Sequence, residues 1–118
     1  MRIFDVDTLD PAALDDLAGH LIPGEVVEEA FGASGTTILF TDRRIVTMRV
    51  HALLAERLET TSYPYRAIRS FTLLQGAPGE SRTEFRIWLD SDAHPLHLRA
   101  NSGTGLGKLQ RLLAAKLV

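Results

Sequence analysis

Hydrophobic and polar residues alternate along most of the middle of this chain, between residues 25 and 100. Short runs rich in Val, Ile, Phe, Thr and Leu have a period of two and are separated by turn-forming residues. This period places successive side chains on opposite faces, as in a half-buried β-strand. Regular short strands joined by tight turns predict an antiparallel β protein. The pattern predicts seven strands, at 25–31, 35–41, 44–50, 56–63, 68–75, 82–90 and 95–100.

The period changes to that of an amphipathic helix at both ends of the chain. Asp10 is a favourable N-cap, and Pro11 suits the first helical position, where no amide hydrogen is needed. Pro23-Gly24 ends this first helix. A second helix is predicted from about Thr104 to Val118. The apolar faces consist of Leu14, Leu17, Ala18 and Leu21 in the first helix, and of Leu106, Leu109, Leu113 and Leu117 in the second, with Leu112 beside them.

Seven strands followed by one long helix are the layout of a pleckstrin-homology (PH) domain. The stretches LIPGEVVEEAF, ILFTDRRIV, YPYRAIRSF, FRIWL and LQRLLAAKL resemble, in order and spacing, the bacterial PH domain family. The resemblance covers Leu21 to Val118 and departs from the family at Asp42-Arg43-Arg44 and at His51–Glu56. It implies ring-like homo-oligomers and no established catalytic activity, and it supplies no catalytic residues.

The predicted fold is therefore mainly β with α: a PH-like, seven-stranded antiparallel barrel or sandwich, capped by the C-terminal helix. Residues 1–23 are predicted to form a short helical extension. Residues 24–118 are predicted, from the resemblance, to form the bacterial PH-like domain as a single structural unit.

Composition narrows the possible functions. The 118 residues suit one domain. The absence of cysteine excludes thiol catalysis and disulfides. A net charge of −2 argues against nucleic acid as a partner. No apolar run is long enough to span a membrane, and the N-terminus lacks the features of a signal peptide. These features predict a cytoplasmic protein.

The glycine-rich stretch NSGTGLGKLQ, residues 101–110, superficially resembles a phosphate-binding loop. A P-loop requires a glycine where this chain has Ser102, and a hydroxyl residue where it has Leu109. The simpler interpretation is that Ser102 or Thr104 caps the last helix. Free amide groups at the helix start leave Thr104, Gly105 and Lys108 as a weak candidate anion site.

Other site chemistries find little support. His94 and His97 face opposite sides of a strand, so no metal site is predicted, and no cofactor is expected. Glu25, Glu28 and Glu29 make the first hairpin acidic, whereas phosphoinositide recognition there needs basic residues. Specific phosphoinositide binding is therefore disfavoured. No catalytic motif is found.

The last predicted hairpin carries the clearest candidate interface. Strand 82–90 buries Phe85, Ile87 and Leu89 and turns its polar side outward. Pairing Leu89 with Leu96 leaves residues 91–94 as a four-residue turn. The same register places Trp88 beside His97, and Arg86 beside Arg99, on the outer side. The candidate interface residues are Trp88, Arg86, His97 and Arg99.

Tryptophan and arginine are enriched in interface hot spots, which favours a subunit contact at this outer side. An alternative is that the chain's own N-terminal helix, or another segment, covers it.

The predicted function is a non-enzymatic protein-interaction module that self-assembles. By resemblance the assembly is a ring, a pentamer being one candidate, and another protein is a further candidate partner. The alternative function is binding of a small molecule or an anionic lipid headgroup.

Overall fold

A computed structural model describes residues 2–9, 11–51, 57–76, 82–90, 94–101 and 105–117. Within these ranges the chain has nine strands and two α-helices. Strands β3 to β9 coincide with the seven predicted strands to within about two residues, which confirms the mainly β fold with a C-terminal helix. The elements are β1 Arg2–Asp5, β2 Asp7–Thr8, α1 Pro11–Leu17, β3 Val27–Ala33, β4 Thr36–Thr41, β5 Arg44–His51, β6 Arg57–Pro64, β7 Ile68–Gln75, β8 Arg82–Leu89, β9 Leu96–Asn101 and α2 Leu106–Lys116.

The described strands form two hydrogen-bonded sheets. One has the order β1-β9-β8-β7, and the other has the order β2-β3-β4-β5-β6. Each sheet lies in its own compact unit, the first comprising residues 1–6 and 64–118 and the second residues 7–63. Strands β1 and β2 were not predicted, and β1 pairs parallel with β9 rather than antiparallel. The predicted boundary at residues 23 and 24 stays a prediction.

The unit that contains β2 to β6 is built around a strand buried on both faces. In β4, Ile38, Leu39 and Phe40 have no exposed surface. Leu39 belongs to an apolar cluster with Ala30, Val46 and Met48, against which Leu14, Leu17 and Leu21 pack. Leu14 and Leu17 of α1 therefore lie on its predicted apolar face, which covers this sheet, whereas Leu21 follows the helix and Ala18 is exposed. Asp10, the predicted N-cap, lies outside the described residues.

The unit that contains β1 and β7 to β9 is completed by α2. This helix packs against β7 and β8. Its buried residues are Leu106, Leu109 and Leu113, which recur every three or four positions, as one face of a helix requires. Leu117, predicted on the same face, follows the helix and is 39% exposed. Burial of the three leucines holds the helix to the sheet.

The hairpin between β3 and β4 turns at Gly35, whose φ is +70°. A side chain in this left-handed conformation costs about 1 kcal/mol. A Cβ on Gly35 would meet no atom within 4 Å, so the cost is backbone strain alone. Gly35→Ala is expected to lower the free energy of unfolding by about 1 kcal/mol, measured by urea denaturation. Gly19→Ala, also in open space but without a positive φ, is the control, and equal losses would contradict this account.

Candidate functional site

The four-stranded sheet has a buried face and an opposite face, which is called the outer face below. Phe85, Ile87, Leu89 and Leu98 occupy the buried face and have at most 1% of their surface exposed. The strand registers place every predicted interface residue on the outer face. The outer face includes Ile3, Asp5, Ser70, Thr72, Leu74, Arg82, Glu84, Arg86, Trp88, His97 and Arg99.

The register between β8 and β9 differs from the predicted register by two residues. Arg86 lies opposite His97, and Glu84 lies opposite Arg99. The predicted pairs of Trp88 with His97 and of Arg86 with Arg99 are therefore wrong. The two arginines are not opposed, so the repulsion expected between them does not arise.

Strand β8 ends at Leu89 and β9 begins at Leu96, which places more than four residues between them. Of the predicted turn at residues 91–94, residues 91–93 lie outside the described residues. The Asp90 amide donates a hydrogen bond to the Ala67 carbonyl at 2.9 Å. A slip of two residues keeps every side chain on its predicted face, so alternation alone cannot detect it.

His97 lies on the outer face but is covered, with 5% of its surface exposed. Its Nε2 is 2.7 Å from Oε1 of Glu84. Its Nδ1 is buried and has no hydrogen-bond partner in the described part of the chain. The strand register places His97 on the predicted side of the sheet, but its side chain is buried. Its contact with Glu84 fixes the position of that carboxylate.

Arg99 pairs with Asp5, which the N-terminal strand β1 places opposite it. Nε and Nη2 of Arg99 donate to the two carboxylate oxygens at 2.7 and 3.1 Å. These hydrogen bonds lower the pKa of Asp5 and raise that of Arg99. Asp5 was not among the predicted site residues. The alternation of Arg2-Ile3-Phe4-Asp5 was its only signal, and four residues are too few to predict a strand.

Trp88 and Arg86 are the half-buried centre of the outer face. They are two residues apart on β8 and therefore point the same way. In the part of the chain that the structure describes, the Arg86 guanidinium forms no ion pair. Ile3 and Leu74 flank them and are 43% and 48% exposed. The centre of the outer face is therefore an aromatic side chain beside a cation that has no ion-pair partner among the described residues, with exposed apolar side chains on the two edge strands.

The glycine-rich stretch leads into α2 at a groove of about 580 Å³. Gly105 occupies the N-cap position with a φ of +93°, and no side chain caps the helix there. Lys108 is exposed and lines the groove together with Arg111. Ser102 and Thr104, the predicted caps, lie outside the described residues, so only Gly105 and Lys108 of the candidate anion site can be placed.

A buried ion pair connects the entry of the second sheet to its middle strands. The side chain of Glu25 has no exposed surface, and its two oxygens accept hydrogen bonds from Nε and Nη2 of Arg44, both at 2.9 Å. The Thr41 hydroxyl and the Ile22 amide also donate to Glu25, at 2.6 and 3.0 Å. The Arg44 hydrogen bonds are the main cause that lowers the pKa of Glu25 to about 2. The carboxylate of Glu25 is therefore compensated by Arg44 and contributes little to the acidity predicted for the first hairpin. The expectation against specific phosphoinositide binding stays a prediction.

Two further features of the described ranges bear on the site. No three His, Asp or Glu side chains there come together in a way that could hold a metal ion. No helix in the same ranges has the length and apolar character needed to cross a membrane.

Solved structures define the fold to which this arrangement belongs. A protein with a pleckstrin-homology domain from Shewanella loihica PV-4 matches with a TM-score of 0.74 and 19% identity, over 95% of this chain and 97% of its own. A pleckstrin homology domain from Shewanella amazonensis SB2B matches with a TM-score of 0.66 and 20% identity, over 89% and 95%. The chain therefore has a PH-like fold.

Sequence comparison identifies the family. Residues 3–117 match the family described as Bacterial PH domain, and the chain belongs to that family. The uncharacterized protein YjqA of Bacillus subtilis (strain 168) is 28% identical over 113 residues, which are 94% of this chain and 90% of that protein. The resemblance inferred from the sequence is confirmed. A PH-like fold indicates an interaction or binding module.

Proposed function

We propose that this chain is a non-enzymatic protein-interaction module that self-associates through the outer face. The composition of that face carries the proposal. Trp88 and Arg86 lie side by side, and the exposed side chains of Ile3 and Leu74 extend the surface on two strands. Trp and Arg dominate interface hot spots, and burial of the flanking apolar groups stabilises association.

The resemblance to the family supports a ring as the form of the assembly. Bacterial PH domains are expected to form ring-like homo-oligomers, and a pentamer is one candidate size. A ring requires that the outer face of one copy contacts a different surface of the next copy, so that the contact repeats until it closes. The assembled ring then presents its remaining surface to another protein.

The packing of helix α1 favours a subunit contact at the outer face. Covering by the N-terminal helix was the main alternative to a subunit contact. Leu14, Leu17 and Leu21 of that helical segment instead pack on the Ala30–Leu39 cluster of the other sheet. The apolar side of the helix therefore packs against that other sheet.

The substitution Trp88→Ala is expected to weaken self-association by at least about 30-fold, since a hot-spot truncation costs about 2 kcal/mol or more. Native mass spectrometry and light scattering at micromolar concentration measure this as a shift from oligomer to monomer. Thr60→Ala, an exposed polar position on β6, is the matched control and should leave the mass distribution unchanged.

Two outcomes would count against self-association at this face. The unsubstituted protein would be monomeric at micromolar concentration, or Trp88→Ala would keep the oligomeric mass. Circular dichroism must show that the variant retains its β signal, so that loss of mass reports on the contact and not on unfolding.

A further inference from the structure

Strand β7 is an edge strand with an open side. It is the last strand in the order β1-β9-β8-β7, so in the described ranges it pairs with β8 alone. It is eight residues long and contains no proline. Most of its residues are exposed. An edge of this kind presents unpaired amide and carbonyl groups that can accept an additional strand.

The groove at the start of α2 extends to this edge strand. Leu73 and Gln75 of β7 line one side, and Leu106, Lys108 and Arg111 of α2 line the other. Its volume of about 580 Å³ lies within the usual range of ligand sites. Leu73 is half-buried and Leu106 is buried, so the groove has apolar walls beside its open end.

The charged residues that line the groove are both cations. Lys108 and Arg111 are exposed cations, and neither forms an ion pair with a described residue. The other polar lining residues, Gln75, Thr83, Asn101 and Gln110, are neutral, and no described lining residue is a carboxylate. A partner that fits this groove electrostatically is negatively charged.

We propose that β7 and this groove together bind an extended, acidic segment of another protein. The backbone of the segment adds beside β7 as a further strand, and main-chain hydrogen bonds provide affinity. Its alternate side chains point to one face, so acidic residues two apart reach Lys108 and Arg111. The site lies on the opposite side of the sheet from the outer face and does not depend on self-association.

The experiment uses the full chain as bait for a phage-displayed library of random octapeptides. We expect selected peptides to carry Asp or Glu at alternate positions and no proline between them. A fluorescein-labelled selected peptide then gives a Kd by polarisation. The double substitution Lys108→Glu/Arg111→Glu is expected to raise that Kd by at least about tenfold, which corresponds to about 1.4 kcal/mol.

A matched charge reversal separates this site from the outer face. Arg86→Glu reverses a cation on the other side of the sheet and is expected to leave the peptide Kd within about twofold. Trp88→Ala is expected to change the oligomeric mass without changing the Kd. Circular dichroism of each variant should match the unsubstituted protein, because Lys108 and Arg111 are exposed.

Any of three peptide results would overturn the proposal. Either no peptide is enriched, or the enriched peptides show no preference for acidic residues, or they bind the Lys108→Glu/Arg111→Glu protein equally well. Vesicles of phosphatidylcholine with and without phosphatidylserine test the other source of negative charge. Sedimentation only with the acidic vesicles, lost on reversal of the two cations and without peptide binding, would also overturn it and assign the groove to lipid headgroups.

Discussion

Leu109→Ala is expected to lower the free energy of unfolding by about 3 kcal/mol or more. Leu109 is fully buried in the middle of α2, between Leu106 and Leu113. Truncation removes the transfer free energy of the deleted carbons and leaves a cavity that the packed sheet beneath fills only in part. Domains of this size are stable by only about 5–15 kcal/mol, so this loss is a substantial share. Equilibrium unfolding in urea, followed by circular dichroism, measures it.

Leu117→Ala is the matched control for this prediction. It removes the same atoms from a residue that follows the helix and is 39% exposed. We expect a loss below about 1 kcal/mol, because an exposed leucine gives up little burial and leaves no cavity. Equal losses for the two variants would show that α2 is not held to the sheet through the predicted leucine face.

Glu25→Gln is expected to lower the free energy of unfolding by about 3 kcal/mol at neutral pH. Glutamine keeps the shape of the side chain but loses the charge that compensates Arg44, which is itself only 20% exposed. The amide also cannot accept from Arg44 with both of its terminal atoms. Removal of one partner of a buried pair therefore costs far more than loss of a surface ion pair.

The pH dependence of stability provides a second test of this ion pair. The pKa of Glu25 is lowered to about 2 in the folded chain, whereas the unfolded chain has the ordinary value near 4.5. A lowered pKa contributes stability above the unfolded value, and this contribution is lost as the pH falls from about 5 towards 2. The difference between the natural chain and Glu25→Gln should therefore shrink over this range, as urea unfolding at several pH values would show.

Asp16→Asn controls for the change of charge in the Glu25 experiment. Asp16 is exposed on α1, and we expect a change within about 0.5 kcal/mol. If Glu25→Gln and Asp16→Asn have equal effects, or if the Glu25→Gln difference is constant from pH 7 to pH 3, the buried ion pair does not stabilise the fold in the way described.

The strands and the leucine face of α2 could be predicted because they depend on local periodicity. Strand 82–90 was predicted almost to the residue, and Phe85, Ile87 and Leu89 lie on the buried face as expected. Alternation determines which face a residue occupies, but it is unchanged by a slip of two positions. The partners of Arg86 and Trp88 were therefore wrong although their face was right.

The contacts of the candidate site depend on residues far apart in sequence, which local periodicity does not encode. Asp5 and Arg99 meet because β1 adds to the sheet beside β9, 94 residues away. Burial of His97 likewise depends on its neighbours on other strands. Glu25 and Arg44 are 19 residues apart, and the sequence indicated only that both are charged.

The single tryptophan of the chain lies on the outer face and not in the core. Its fluorescence emission therefore reports on the environment of that face, whereas a core tryptophan would report mainly on unfolding. Dilution of an assembled sample should shift the emission to longer wavelength while the β signal in the far ultraviolet stays constant. The proposed self-association can therefore be followed through this intrinsic optical probe, and no external label is needed.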